Sequence, residues 1–170
     1  MLTGHSFVGI ALPAAAAAVA PLHAADLQRG IVVVGPTRAP VDLNIGDLAQ
    51  MPAARVDTAF LTEHGTHQAS FEGPLLWTVL QKAGVIDPEK HREQVSQTIV
   101  IQGLDGYRAI LALGEIAPEF EGKQVIVAQR MDGKPLDADH LRVVVPLDKR
   151  GGRSVRDVVR IEVAGPSGSH

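Results

Sequence analysis

The chain has 170 residues, 45% of them apolar and 21% charged, with a formal net charge of −3. Those proportions suit one soluble domain with a sizeable core, and the slightly acidic balance excludes the basic surplus a nucleic-acid partner would demand. Zero cysteine excludes disulfides, zinc–thiolate sites, iron–sulfur clusters and thiol nucleophiles together.

Residues 1–25 contain no Lys, Arg, Asp or Glu, and residues 7–20 are dominated by Ala, Val, Ile and Leu. The stretch ends in Leu22-His23-Ala24-Ala25, small residues suited to a signal-peptidase site. It is expected to be a signal peptide that sends the chain to a bacterial periplasm, although the basic start of such a leader is missing. Pro13 and Pro21 interrupt the apolar run, which falls short of a membrane span of about 20 residues. No stable span is expected in the mature protein.

Residues 30–35 (Gly-Ile-Val-Val-Val-Gly) read as a strand bounded by glycines, and residues 41–45 alternate apolar and polar as a half-buried strand does. Residues 46–51 make one or two helical turns stopped by Pro52, and residues 55–61 return to strand. Gly73-Pro74 opens the clearest helix: Pro74 suits the first turn, Leu75, Leu76, Val79, Leu80 and Ala83 share a face, and Gly84 ends it. Trp77 lies beside Leu76 and Leu80 and is expected to pack at that helix's edge. Residues 88–94 are polar, an exposed loop or helical turn.

Farther on, strands at 98–101 and 107–113 flank Gly103-Leu104-Asp105-Gly106, a hairpin connection that Tyr107 is expected to cap. Residues 123–130 form another strand, turned by Asp132-Gly133, and strands at 141–146 and 158–163 follow. Residues 165–170 read as a disordered tail. Strands outnumber helices, the helices are scattered, and no linker divides the chain. These features give a single α+β domain over residues 26–164, strand-rich with a few short helices.

Several motifs occur in a telling order: Phe71-Glu72-Gly73-Pro74-Leu75, then Asp105-Gly106-Tyr107, then Ala128 through Asp132-Gly133-Lys134-Pro135-Leu136. Leu141-Arg142-Val143-Val144-Val145-Pro146 and Gly151-Gly152-Arg153-Ser154-Val155-Arg156 complete it. The series, over roughly residues 41–163, resembles the molybdopterin-binding domain of the sulfite oxidase family. The resemblance implies that family's fold, molybdopterin as the cofactor, and a pterin phosphate held by Arg153, Ser154 and Arg156. It also implies a pared-down version, without the extra C-terminal domain that family oxidases often use for dimerisation. That family holds molybdenum through a cysteine thiolate. The corresponding neighbourhood here, Phe60-Leu61-Thr62-Glu63-His64-Gly65, offers no sulfur, and a hard oxygen ligand does not reproduce a thiolate's donation to the metal.

Two stretches could carry chemistry. Lys149, Arg150, Arg153, Arg156 and Arg160 place five of the sixteen Lys and Arg residues within twelve positions. Gly151-Gly152 lets backbone amides approach a ligand, and guanidinium matches phosphate geometry. Asp148, Asp157 and Glu162 offset part of the charge, so the stretch reads either as an anion site or as a solvated turn. The second stretch is Glu63-His64-Gly65-Thr66-His67. His64 and His67 would ligate a metal if the glycine turned them together, but three positions apart on a regular strand they face opposite sides. Otherwise they are surface or cleft histidines. Glu115, Glu119 and Glu121 read as a solvated acidic face, and no serine has a Gly-x-Ser-x-Gly context.

The function expected from these features is a non-catalytic periplasmic protein that binds a small anionic ligand, or a periplasmic or membrane-protein partner. One alternative is a molybdopterin-dependent oxidoreductase with a cysteine-free site. The other is a His-based metal-binding accessory protein.

Overall fold

The computed structural model describes residues 30–137 and 140–165. The expected leader therefore lies outside the described residues, as does all of the expected tail except Gly165. Strands β1 (Ile31–Val34) and β2 (Val41–Leu43) pair antiparallel. Helix α1 (Ile45–Ala49) follows, closed at its start by a capping box. There the Asn44 side chain accepts from the Asp47 amide at 3.0 Å, and the Asp47 carboxylate accepts from the Asn44 amide at 2.9 Å.

Next come β3 (Ala53–Thr62) and β4 (Gly65–Pro74), a ten-residue antiparallel hairpin with Thr62 opposite Gly65. Its turn is Glu63-His64, and Gly65 takes φ 110°. Glycine holds that conformation without a Cβ clash, so one residue suffices to re-aim the returning strand. The strand expected at 55–61 is thus the first half of a longer hairpin. Pro74 belongs to β4 and not to the helix: Leu75 is still extended, and α2 (Leu76–Lys82) begins one residue later. Gly73 is required for a different reason. Its Cα faces the Val127 carbonyl so closely that a Cβ would collide with it.

The helix α2 buries Leu76, Val79 and Leu80, and Trp77 packs at the edge of the core. Gly84, with φ 66°, stops it at the position after the cap. The polar stretch that follows folds into the short α3 (His91–Gln94), whose Gln94 is buried. Strands β5 (Thr98–Gly103) and β6 (Arg108–Ala112) form the expected hairpin, and α4 (Leu113–Ile116) follows directly. The strand expected over 123–130 is split into β7 (Ile126–Ala128) and β8 (Arg130–Met131), with β9 (Lys134–Pro135) beyond the Asp132-Gly133 turn. The chain ends with β10 (Arg142–Val144), a 3₁₀ turn at Gly151–Arg153, and β11 (Val158–Ala164).

These strands form three sheets, ordered β2-β1-β11-β5-β6, β3-β4-β8-β9 and β10-β7. The β1–β11 pair is parallel and the others are antiparallel. The β10–β7 pair acts as a shared wall, because alternate side chains on a strand point to opposite faces. Val143 and Val127 join the main core with Ile31, Leu80, Ile99 and Ile161. Val144, Ile126 and Ala128 join a smaller core against Val56, Ala69 and Phe71 of the hairpin. Each fully buried Leu, Ile or Phe contributes about 1.5–3 kcal/mol, so the smaller core fixes the hairpin against the wall and the main core packs on the wall's other face. Among the described residues no helix is long and apolar enough to cross a membrane.

Candidate functional site

A cleft of about 480 Å³ opens where the outer part of the β3–β4 hairpin meets the basic loop. Phe60, Leu61, Thr62 and His67 form one wall, and Gly151, Ser154, Arg156 and Asp157 form the opposite one. Arg142, Asp105 and Tyr107 complete the lining. Backbone bonds hold the walls together. The Leu61 amide donates to the Lys149 carbonyl at 2.9 Å, and the Leu104 amide donates to the Asp157 carbonyl at 2.8 Å. The Tyr107 hydroxyl donates to the Gly152 carbonyl at 2.6 Å.

The position of Arg142 follows from strand alternation. Two residues before Val144, it points to the smaller core's side, and its guanidinium lies 5.4 Å from the centroid of the buried Phe71 ring. That cation–π contact orients the group without neutralising it. Among the described residues, the Arg142 and Arg156 guanidinia have neither an ion pair nor a side-chain hydrogen bond. Of the neighbouring arginines, Arg153 is taken by Asp148 and Glu115 and Arg160 by Glu162, whereas the exposed Arg150 makes no ion pair among the described residues. Burial first, and then the charge of Arg156, push the Arg142 guanidinium below its ordinary value, with Asp157 opposing. Arginine stays charged regardless. The cleft therefore holds two mutually repelling cations, one of them partly desolvated, with Asp157 offsetting part of the repulsion and an anion able to relieve the rest.

Of the basic-loop residues singled out in the sequence, the structure brings Ser154 and Arg156 to the cleft. The Ser154 hydroxyl accepts from the Val145 amide at 3.0 Å, which fixes the turn into the final strand. Lys149 contributes a carbonyl to the cleft's frame, and the side chains of Lys149 and Arg150 are exposed outside its lining. Arg153, expected at a phosphate, instead faces Asp148 and Glu115, because these carboxylates satisfy all three sides of its fork. Glu115 correspondingly departs from a solvated acidic face: it also binds Lys123 at 3.2 Å and lies mostly covered. Tyr107 caps its turn, its amide donating to Asp105 at 2.9 Å, and in addition lines the cleft.

The two histidines separate. His67 lies opposite Phe60 on the cleft wall, whereas His64 occupies the hairpin turn. Among the described residues no group of three or more His, Asp or Glu side chains is arranged to hold a metal ion. The residue that sequence reasoning missed is Arg142. Its one signal is a charge inside an otherwise apolar run, and only the register shows where that charge points.

The sulfite-oxidase-type molybdopterin-binding domain is the class that this strand-rich fold and cleft define. The sequence profile described as "Oxidoreductase molybdopterin binding domain" matches residues 28–167, and the chain belongs to that family. Among solved structures it is similar to the sulfane dehydrogenase SoxCD from Paracoccus pantotrophus, with a TM-score of 0.64 and 15% identity. The match covers 86% of this chain and 41% of that one, so the likeness is one of fold and spans less than half of the neighbour. No curated protein matches the sequence.

The family's cofactor fits these residues only in part. Arg142, Arg156 and the Gly151 turn suit a phosphate-bearing pterin. The donors on the facing wall do not suit molybdenum held by a thiolate. Thr62 spends its hydroxyl on the Gly65 carbonyl at 2.7 Å, His67 stands without a second ligand, and the chain has no sulfur of the required kind. No redox step follows from this donor set.

Proposed function

We propose that this chain is an exported, non-catalytic member of its family that binds a small phosphate-bearing ligand, of pterin size and type, in the Arg142–Arg156 cleft. One observation carries the reading: two arginines share a cleft and make neither an ion pair nor a side-chain hydrogen bond among the described residues, whereas Arg153 and Arg160 beside them are both paired. Paired guanidinia offer forked donors to a phosphate, and such charge-assisted bonds are about twice as strong as neutral ones. Asp105 and Asp157 on the same lining add acceptors for a ligand's N–H edge. The absence of cysteine supports a binding role over an oxidoreductase role. The uncharged, Ala-rich start with its small-residue end supports export to the periplasm. There the loaded protein would meet a periplasmic or membrane-bound partner.

The test is titration with a phosphorylated pterin such as neopterin monophosphate, followed calorimetrically. Arg142→Ala and Arg156→Ala should each weaken binding by about tenfold or more, the loss of a charge-assisted pair. Affinity unchanged in both variants would overturn the assignment of the cleft.

A further inference from the structure

The Gly151-Gly152 turn forms one wall of the cleft, yet glycines have no side chains with which to hold themselves in place. A Gly-Gly pair loses more conformational freedom on ordering than any other dipeptide, so its position must be imposed from outside. Two contacts impose it. On one side Arg153 donates through Nε and Nη2 to Asp148 at 2.9 and 2.7 Å, and through Nη1 to Glu115 at 2.9 Å. Glu115 is itself anchored, accepting from the Ala112 amide at 3.0 Å and from Lys123 at 3.2 Å, where β6 passes into α4. On the other side the Tyr107 hydroxyl holds the Gly152 carbonyl.

We infer that Arg153, with Glu115 and Asp148, is a positioning unit for the anion cleft, Tyr107 acting as its second latch. This inference rests on the cleft reading above and gives the basic loop a division of labour. Arg142 and Arg156 face the anion, and Arg153 spends its charge on holding the turn that completes the wall. Two carboxylates are thereby part of an anion site, against the usual electrostatic expectation.

That conflict supplies a test whose sign decides the matter. If Arg153 were a direct ligand, removing its carboxylates would release it toward the anion and tighten binding. If it positions the turn, removing them loosens binding although negative charge has been taken away. Inorganic phosphate is titrated into the full chain while backbone amide signals are followed, and hydrogen exchange at Ser154, whose amide donates to the Gly151 carbonyl at 3.0 Å, is measured alongside. Glu115→Gln with Asp148→Asn should weaken phosphate binding by about fivefold and speed Ser154 exchange. Arg153→Lys should recover part of the affinity that Arg153→Ala loses. Tyr107→Phe changes no charge and should also weaken binding; it decides the case if the double variant fails to fold. Tighter binding in the carboxylate variants, or unchanged binding and exchange in Tyr107→Phe, would overturn the inference. If the wild-type chain takes up no phosphate, the cleft reading fails, and the exchange data alone then judge the positioning unit: unchanged exchange overturns it.

Discussion

Arg142 and Arg153 lie close in sequence and are chemically identical, yet their surroundings give them opposite roles. Arg142 stands over the Phe71 ring with a second arginine nearby, so its charge is oriented, unpaired by any salt bridge among the described residues, and only partly offset by Asp157. Arg153 is enclosed by two carboxylates. Its hydrogen bonds to Asp148 come first in holding the guanidinium above its ordinary value, with those to Glu115 adding to the effect against burial. Asp148 is in turn held below the ordinary carboxylate range, chiefly by the Arg153 hydrogen bonds. For Glu115, burial pushes upward, but the Ala112 amide, Arg153 and Lys123 together outweigh it and lower the group on balance. Both carboxylates are thus depressed in the folded state. Their contribution to stability is complete above the unfolded values of about 4 and is lost as pH falls through the lower folded values. Urea unfolding at about pH 7 and about pH 3.5 should show a larger acid loss for the wild type than for Glu115→Gln with Asp148→Asn. Equal losses would contradict the pairing. None of this can be read from the sequence, because the basic run looks uniform until the partners are placed, and Glu115 lies 38 positions away from Arg153.

At the scale of elements, the sequence was most legible where local chemistry decides. Helix α2 has its apolar face and its Gly84 stop, although it starts at Leu76 and not at Pro74, and the β5–β6 hairpin has its Asp-Gly turn. β4 was not legible. Its outer half, Gly65-Thr66-His67-Gln68, is polar and exposed, and only Ala69 and Phe71 show the alternation of a buried face. Pairing with β3, and not propensity, makes that segment a strand. The same tertiary demand explains Gly73, which sequence reasoning assigned to the start of a helix. Its true constraint is the approach of β7: beyond the collision with the Val127 carbonyl oxygen, a Cβ would lie 2.8 Å from the Val127 carbonyl carbon and 2.9 Å from the Ala128 Cα. These backbone atoms of β7 cannot swing away as a flexible side chain would. Gly73→Ala should therefore cost about 2–4 kcal/mol in denaturant unfolding. Gly133→Ala, at φ 77° but with open space around it, should cost only about 1 kcal/mol. A Gly73 variant no worse than the Gly133 variant would contradict the close packing of β4 on β7.

For the molecule as a whole, the fold and family were legible because five short motifs keep their order along the hairpins and strands. The cleft was legible only in part: Ser154 and Arg156 are there, Arg142 was hidden in an apolar run, and Arg153 serves elsewhere. What the assembled structure adds is the relation between the two walls. The basic wall, built from β10 and the loop before β11, has the cations and the ordered turn that a phosphate needs. The facing wall, from Phe60 to His67, lacks the thiolate through which the family grips molybdenum. The central claim is that the anion-holding half of the site persists without the metal-holding half. Native mass spectrometry of the protein recovered from its own host tests that claim most directly. The account predicts a chain beginning near residue 26 that carries a phosphate-bearing organic ligand and no molybdenum. A species with one molybdenum atom per chain would contradict it.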